Sequence, residues 1–349
     1  MHPNPPPTVD GDVNHYINDE AFASPWFDHG ARTVFINGMG NAPPDHKESA
    51  LAISLLQMSQ VTGVYNQKAS PLGDLVQCLG DKFQFDGPLA RSPSEALDRI
   101  VAKMEQSGHP TTRAKAMELA LARNPAALSL FQILRMPIYR WSPIFAHSQG
   151  NLILSNVLSA IEAVDGERAI VAREVHSFGS PTVNWPTGLK HQQYAFTFDP
   201  VSWLAGFDTS FQISKLGVHT YEGSRTLISH GFKVYAENDP AFVINRFRWG
   251  SFGATFNMDE DGLADALVAM KANLIRVHKI FEYLDKKHNS DVDDVAVLYV
   301  KKLRQSVFSH MVLAALKQHM PLRSLLIRVM EEGWTGSDER AAINYLKTV

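Results

Sequence analysis

Trp141-Ser142-Pro143-Ile144-Phe145-Ala146-His147-Ser148-Gln149-Gly150-Asn151-Leu152-Ile153-Leu154 is the stretch on which the reading of this chain turns. Ile144-Phe145-Ala146 has the length and composition of a short buried strand, and Leu152-Ile153-Leu154 opens an apolar helix. Only a tight turn fits between them, with Ser148 at its apex and the small residues Ala146 and Gly150 on either side. Small side chains belong at those positions because strand and helix pass close together there. The expectation is strand, turn and helix in immediate succession.

Upstream, Thr33-Val34-Phe35-Ile36 is a β-branched and aromatic run ended by the glycine-containing loop Asn37-Gly38-Met39-Gly40-Asn41. Ser49 to about Gln60 carries Leu51, Ile53, Leu55, Leu56 and Met58 and predicts a buried helix; Gly63-Val64-Tyr65-Asn66 predicts a second short strand. Strand, loop, helix and strand is the pattern of a parallel sheet with crossover helices. Residues 1–28, rich in Pro, Asn and Asp, read as an extended arm. Between about 87 and 135 the chain turns rich in Ala, Leu, Met, Lys and Glu, which predicts a helical insertion: either a lid over a site or ordinary crossover helices.

Downstream, Ala169–Phe178 predicts a strand running into Gly179-Ser180-Pro181, and Gln193–Phe198 predicts another, ended by Asp199-Pro200. Residues 203–229 are mixed, and Ile228–Tyr235 follows as a short apolar segment around His230. Leu263, Leu267, Met270, Leu274, Val277, Phe281 and Leu284 recur at helical spacing and predict one long amphipathic helix. Asp291 is placed to cap a second helix, and Pro321 and Gly333 punctuate two shorter ones. The expected organisation is an arm over 1–28, an α/β domain over 29–255 and a helical extension over 256–349.

A chain of 349 residues, 45% of them hydrophobic, can bury a large core without covalent staples. Its net charge of -3 argues against an electrostatic nucleic-acid binder. Cys78 is the only cysteine, which rules out an internal disulfide and a Cys-rich zinc site. The start, Met1-His2-Pro3-Asn4-Pro5-Pro6-Pro7, has neither the basic nor the apolar region of a signal peptide, and no run of about 18 apolar residues occurs. A soluble, cytoplasmic chain is therefore expected, with non-classical export left open.

A serine hydroxyl is a weak nucleophile at neutral pH. It needs a base in reach, a group to orient that base, and donors for the oxyanion that forms. Ser148 lies in Ala146-His147-Ser148-Gln149-Gly150, a G-x-S-x-G pattern with alanine at the first glycine, on the strand–turn–helix layout of a nucleophile elbow. The backbone N–H of Gln149, next after the serine, and that of Met39, in the loop after the first strand, are the candidate oxyanion donors. Asp199, at a strand end, is the candidate acid, with Asp208 and Asp239 as weaker alternatives. His230 is the candidate base, with His219 behind it; the histidines of the tail read as surface residues, and His147 as a packed or hydrogen-bonded residue of the turn.

These pieces together resemble the α/β-hydrolase superfamily, and within it bacterial lipase- and esterase-like serine hydrolases. The resemblance rests on Phe35-Ile36-Asn37-Gly38-Met39, Ala146-His147-Ser148-Gln149-Gly150-Asn151, Ser177-Phe178-Gly179-Ser180-Pro181, Phe198-Asp199-Pro200-Val201 and Ser229-His230-Gly231-Phe232-Lys233-Val234-Tyr235, spanning roughly residues 30 to 240. It implies a doubly wound, mostly parallel sheet, a Ser148, Asp199, His230 triad, an acyl ester (small or lipid-like) as substrate, and no cofactor or metal. It departs from the family at Ala146 and in the long insertion. It does not cover the tail, for which no partner is implied. Two other readings stand beside esterase: a hydrolase-fold scaffold that recruits a partner through its tail, and the same triad acting on a thioester or amide.

Overall fold

The computed structural model of the chain describes residues 2–24, 27–38, 40–67, 93–108, 111–182, 185–196, 199–203, 218–221, 230–249, 257–270, 273–288, 290–307, 309–333 and 336–348. Its main sheet is built from β1 (Val13–Tyr16), β2 (Asp28–Ile36), β3 (Ser59–Val64), β4 (Ile144–His147), β5 (Glu174–Phe178), β6 (Lys190–Phe196) and β7 (Val218–Tyr221). These run side by side in the order β1-β3-β2-β4-β5-β6-β7. β1 is antiparallel to β3, and every other neighbouring pair is parallel. The chain leaves β2 for β3 on one side, but leaves the adjacent β4 for β5 on the other. In open α/β sheets such a switch point opens a crevice beyond the carboxyl ends of the two strands.

The helices of this part are α1 (Asp19–Ala23), α2 (Pro43–Gln57), α3 (Pro93–Gln106), α4 (Arg113–Leu121), α5 (Pro125–Arg135), α6 (Gly150–Asp165), α7 (Pro200–Trp203) and α8 (Phe232–Glu237). Side chains alternate across a strand, so each strand serves two layers. Val34, Ile36, Ile144, Ala146 and Val175 join Leu130, Phe131 and Leu134 of α5 and Ile153, Leu154, Val157 and Ile161 of α6 in one buried cluster. The opposite face is aromatic. There Phe35 stacks on His46 of α2 at 5.2 Å, and Phe232 of α8 lies 5.3 Å from both Phe35 and Phe178. The sheet thus has helices on both faces.

Several elements differ from their expected form, each for a local reason. The arm over 1–28 contributes β1 and α1; β1 has a single buried residue, Tyr16, so it leaves no apolar run in the sequence. α2 starts at Pro43 rather than Ser49, since proline is tolerated in a first helical turn. It ends where Met58 turns to φ 50°, which hands Ser59 and Gln60 to β3. β5 begins only at Glu174, after Ala172 takes a φ of 62°. α5 inserts into the core, and Leu97 of α3 and Ala116 of α4 pack against Ala163 of α6, as crossover helices do. β7 lies within the stretch that carried no strand signal.

The chain divides into two compact units, Met1–Ala236 and Glu237–Val349; the expected boundary near residue 255 lies outside the described residues. The second unit holds α9 (Asp239–Asn245), the antiparallel pair β8 (Arg248–Trp249) and β9 (Asn257–Met258), α10 (Glu260–Ala269), α11 (Leu274–Lys287), α12 (Val292–Gln305), α13 (Ser309–Gln318), α14 (Met320–Glu332) and α15 (Ser337–Thr348). The single long helix expected over 263–284 is two, α10 and α11. The side chain of Asn273 accepts the Arg276 N–H at 3.1 Å and starts the second. Leu263, Leu267, Leu274, Val277, Phe281 and Leu284 are all buried, so the apolar period survives a break that only the cap betrays. Asp291 does sit at the cap position of α12, although its side chain makes no capping hydrogen bond. No helix among the described residues is long and apolar enough to cross a membrane.

Candidate active site

β4 ends at His147 and α6 begins at Gly150, which leaves two residues to reverse the chain. Ser148 makes the reversal with a φ of 54°, a left-handed conformation that costs a residue with a β-carbon roughly 1–2 kcal/mol. The turn is held from both sides. The Ser148 N–H donates to the Phe178 carbonyl at 2.9 Å, while the Asn151 side chain donates to the carbonyls of Ser148 (3.0 Å) and Phe178 (3.1 Å). A β-carbon on Gly150 would come within 2.8 Å of the Ile36 carbonyl oxygen and 2.7 Å of that of Asn37. The close passage expected of this turn is therefore between α6 and the end of β2.

Three of the predicted residues come together in series. Ser148 leaves the end of β4, Asp199 follows β6, and His230 precedes α8. His230 Nε2 lies 2.7 Å from Ser148 Oγ, and its Nδ1 lies 2.9 Å from each oxygen of Asp199. A carboxylate can only accept, so Nδ1–H donates to Asp199 and Nε2 accepts the serine proton. Asp199 and Ser148 are fully buried, while His230 is partly exposed. Burial alone pushes the Asp199 carboxyl up. The hydrogen bonds and charge of His230, the Tyr235 hydroxyl and the Val201 N–H outweigh it and hold the group below the usual carboxylate range.

The remaining candidates divide. Gln149 is buried at the entry to α6, and its side chain accepts from Asn66 at 3.1 Å. Met39 and Asp208, and the side chain of His219, lie outside the described residues. Asp239 is committed elsewhere, in a two-pronged pair with Arg276 at 2.8 Å per contact.

Three further features support the site; one of them, His147, is the packed or hydrogen-bonded residue of the turn that the sequence predicts. The Tyr235 hydroxyl donates to Asp199 Oδ2 at 2.5 Å, so the acid has a second side-chain partner besides the histidine. His147 is fully buried and neutral: burial first, and the neighbouring His230 second, pull its pKa down to about 3. Its Nε2–H donates to the backbone carbonyl of His230, which fixes the tautomer and ties His230 to the strand that precedes Ser148. Finally, Asn37 accepts from the Asn66 N–H (2.9 Å), contacts His46 Nδ1 (2.8 Å) and donates to the Gly38 carbonyl (2.7 Å). Through Asn66 that buried network reaches Gln149, so the loop after β2 and the residue after the serine are braced together. A tyrosine five positions after a histidine and an asparagine three after a serine are weak signals, and only the fold joins them.

Tyr235→Phe is expected to leave Asp199 without one donor, at a stability cost of about 1–3 kcal/mol. A tenfold lower kcat at unchanged KM corresponds to about 1.4 kcal/mol of lost transition-state stabilisation, and is the expected kinetic effect. Steady-state kinetics beside a denaturation curve checks both, and an unchanged kcat contradicts a role for the hydroxyl.

Burial also lowers His46 to about 3 and His191 to about 4. With His147 they form a set of folded-state values below the ordinary 6.5. The unfolded chain takes up protons that the folded chain refuses, so stability is full above pH 6.5 and falls as the pH drops from there toward 4. Each such histidine contributes about 1.4 kcal/mol per pH unit in that window. Urea unfolding at about pH 7.5, 6 and 5 should show a steep loss, and a flat profile contradicts buried neutral histidines.

No protein-family model, curated protein or solved structure matches the chain. Among the described residues, no group of three or more His, Cys, Asp and Glu side chains is arranged to hold a metal ion.

Proposed function

We propose that the chain is a serine hydrolase of the α/β-hydrolase fold, cleaving carboxylic esters through an acyl-enzyme. One observation carries the reading: Ser148 Oγ, His230 and Asp199 are linked in series at 2.7 and 2.9 Å. The order Ser, Asp, His along the chain, after β4, β6 and β7 in turn, is the order of that fold. The left-handed Ser148 between strand and helix, at the sheet's switch point, supports it as well.

In this mechanism His230 takes the serine proton at Nε2 as Ser148 Oγ attacks the ester carbonyl, and Asp199 stabilises the imidazolium through Nδ1–H. The oxyanion is held by the N–H of Gln149, at the positive end of α6, and by that of Met39. The alcohol leaves with the proton returned by His230. Water, activated by the same nitrogen, then releases the acid.

One observation favours a second reading, a hydrolase-fold scaffold without turnover: Ser148 has no exposed surface, so a substrate must displace what covers it. Hydrolysis of short- and long-chain p-nitrophenyl esters separates the two. Saturable hydrolysis of either series supports the enzyme, and its chain-length profile reports how lipid-like the substrate is. No turnover of either, by a folded protein, favours the scaffold.

A further inference from the structure

We propose that a cleft at the opposite end of α6 from Ser148 binds a small organic anion, with one carboxylate or phosphate head on an apolar body. The proposal is independent of the esterase reading. α6 runs sixteen residues from Gly150 to Asp165, so at 1.5 Å per residue the cleft lies about 24 Å from the nucleophile. It is an open cleft of about 720 Å³ lined by Met136, Arg140, Trp141, Ile161, Asp165 and Arg173 among others. That volume falls within the range of small-molecule sites.

The charge in the cleft is unbalanced. Arg173 is only 3% exposed, yet its hydrogen bonds among the described residues all go to carbonyl oxygens. Its Nε donates to the Ala169 carbonyl and its Nη2 to that of Leu134, both at 2.7 Å, while Nη1 is 3.5 Å from the Tyr139 carbonyl. Arg140 donates through Nη2 to the carbonyls of Arg168 (2.7 Å) and Val171 (3.0 Å), and its Nη1 is buried without a partner. The carboxylate that lines the cleft, Asp165, is already held on both oxygens by Arg135, at 2.7 and 3.0 Å. Carbonyl oxygens satisfy donors but bring no net charge, and the Asp165 carboxylate that acts on Arg173 is shared with Arg135, so the two neighbouring guanidinium groups are only partly compensated, an arrangement that is costly away from water. Burial, then the repulsion of Arg140, pulls Arg173 down to about 10 against the attraction of Asp165.

The apolar part of the ligand has a surface ready for it. The Trp141 ring is 72% exposed and Met136 49% exposed. The Arg140 guanidinium sits over that ring, 4.3 Å from its centre. An arginine fork matches the two oxygens of a carboxylate or phosphate. A ligand whose head meets Arg140 and Arg173 and whose body lies on Trp141 would use both properties together. Concavity and buried charge that is only partly compensated favour a small molecule over a membrane surface.

Calorimetric titration of the full chain with phenyl phosphate, benzoate and phenol tests this. One-site binding of either anion is expected, absent with phenol and weakened at least about tenfold by Arg140→Gln, whose side chain is outside the core. Arg140→Lys keeps the charge but loses the fork and should fall between the two. Trp141→Ala, at an exposed position, should weaken the aromatic anions while leaving the melting temperature unchanged. The preferred anion identifies the head group. No saturable binding at millimolar concentration, or equal binding by wild type and Arg140→Gln, overturns the proposal. So does binding only to phosphatidylserine vesicles, which would make the face a membrane contact.

Discussion

Ser148→Ala is expected to lower turnover of an activated ester by about 10⁴–10⁶, with little change in stability. The size follows from the role: among the described residues, no other side-chain oxygen is within hydrogen-bond reach of His230 Nε2 to attack in its place, and what remains is binding and oxyanion stabilisation. The small stability effect follows from the backbone. Alanine at a φ of 54° is no more strained than serine, and the lost hydroxyl leaves only a histidine nitrogen that is partly exposed. His230→Ala should lose a comparable factor and Asp199→Asn about 10⁴. Purified variants assayed side by side, with circular dichroism to confirm folding, give the result. Activity that survives Ser148→Ala removes the nucleophile, and the rest of the proposed mechanism with it.

Gly38→Ala should come next in severity. A β-carbon on Gly38 would lie 2.3 Å from the β-carbon of Ser148 and 2.9 Å from its Oγ, far inside contact distance. The neighbour cannot yield cheaply, because it is the apex of a turn pinned by Phe178 and Asn151. Overpacking of this kind costs about 1–3 kcal/mol. Displacing a reacting atom by about 1 Å costs on the order of 10²-fold in rate. Activity should therefore fall at least a hundredfold while the protein still folds. Gly231→Ala is the matched control: it adjoins the base, yet its nearest contact is Val234 at 4.0 Å, and it should behave as wild type. Equal activity in the two variants contradicts the close approach of the β2 loop to the nucleophile.

Which parts of the site could be read from the sequence follows from what each part depends on. Ser148 announces itself because strand, turn and helix are contiguous around it, and the small residue at 150 is a steric necessity that sequence displays. Asp199 and His230 were found through the order of strand ends, each lying where a β-strand or short apolar segment meets a turn. Tyr235 and His147 were present in the same quoted stretches, but their partners lie 36 and 83 positions away. No local pattern marks a hydrogen bond across that distance. The fold shows the same division. The last four residues of β2 and the whole of β4 are buried on both faces and stand out in the sequence, whereas β1 has one buried residue and hides in a polar segment. The break between α10 and α11 does not show in the apolar pattern because the buried stripe continues across it, and the cap that starts α11 is one asparagine side chain.

The most direct test of the central assignment is covalent. The full chain is incubated with a fluorophosphonate probe, its intact mass is measured, and the modified peptide is sequenced. A nucleophile activated as Ser148 is here gives one adduct, on Ser148, absent in Ser148→Ala and strongly slowed in His230→Ala. A folded protein that takes up no probe, or carries it on another residue, contradicts the assignment.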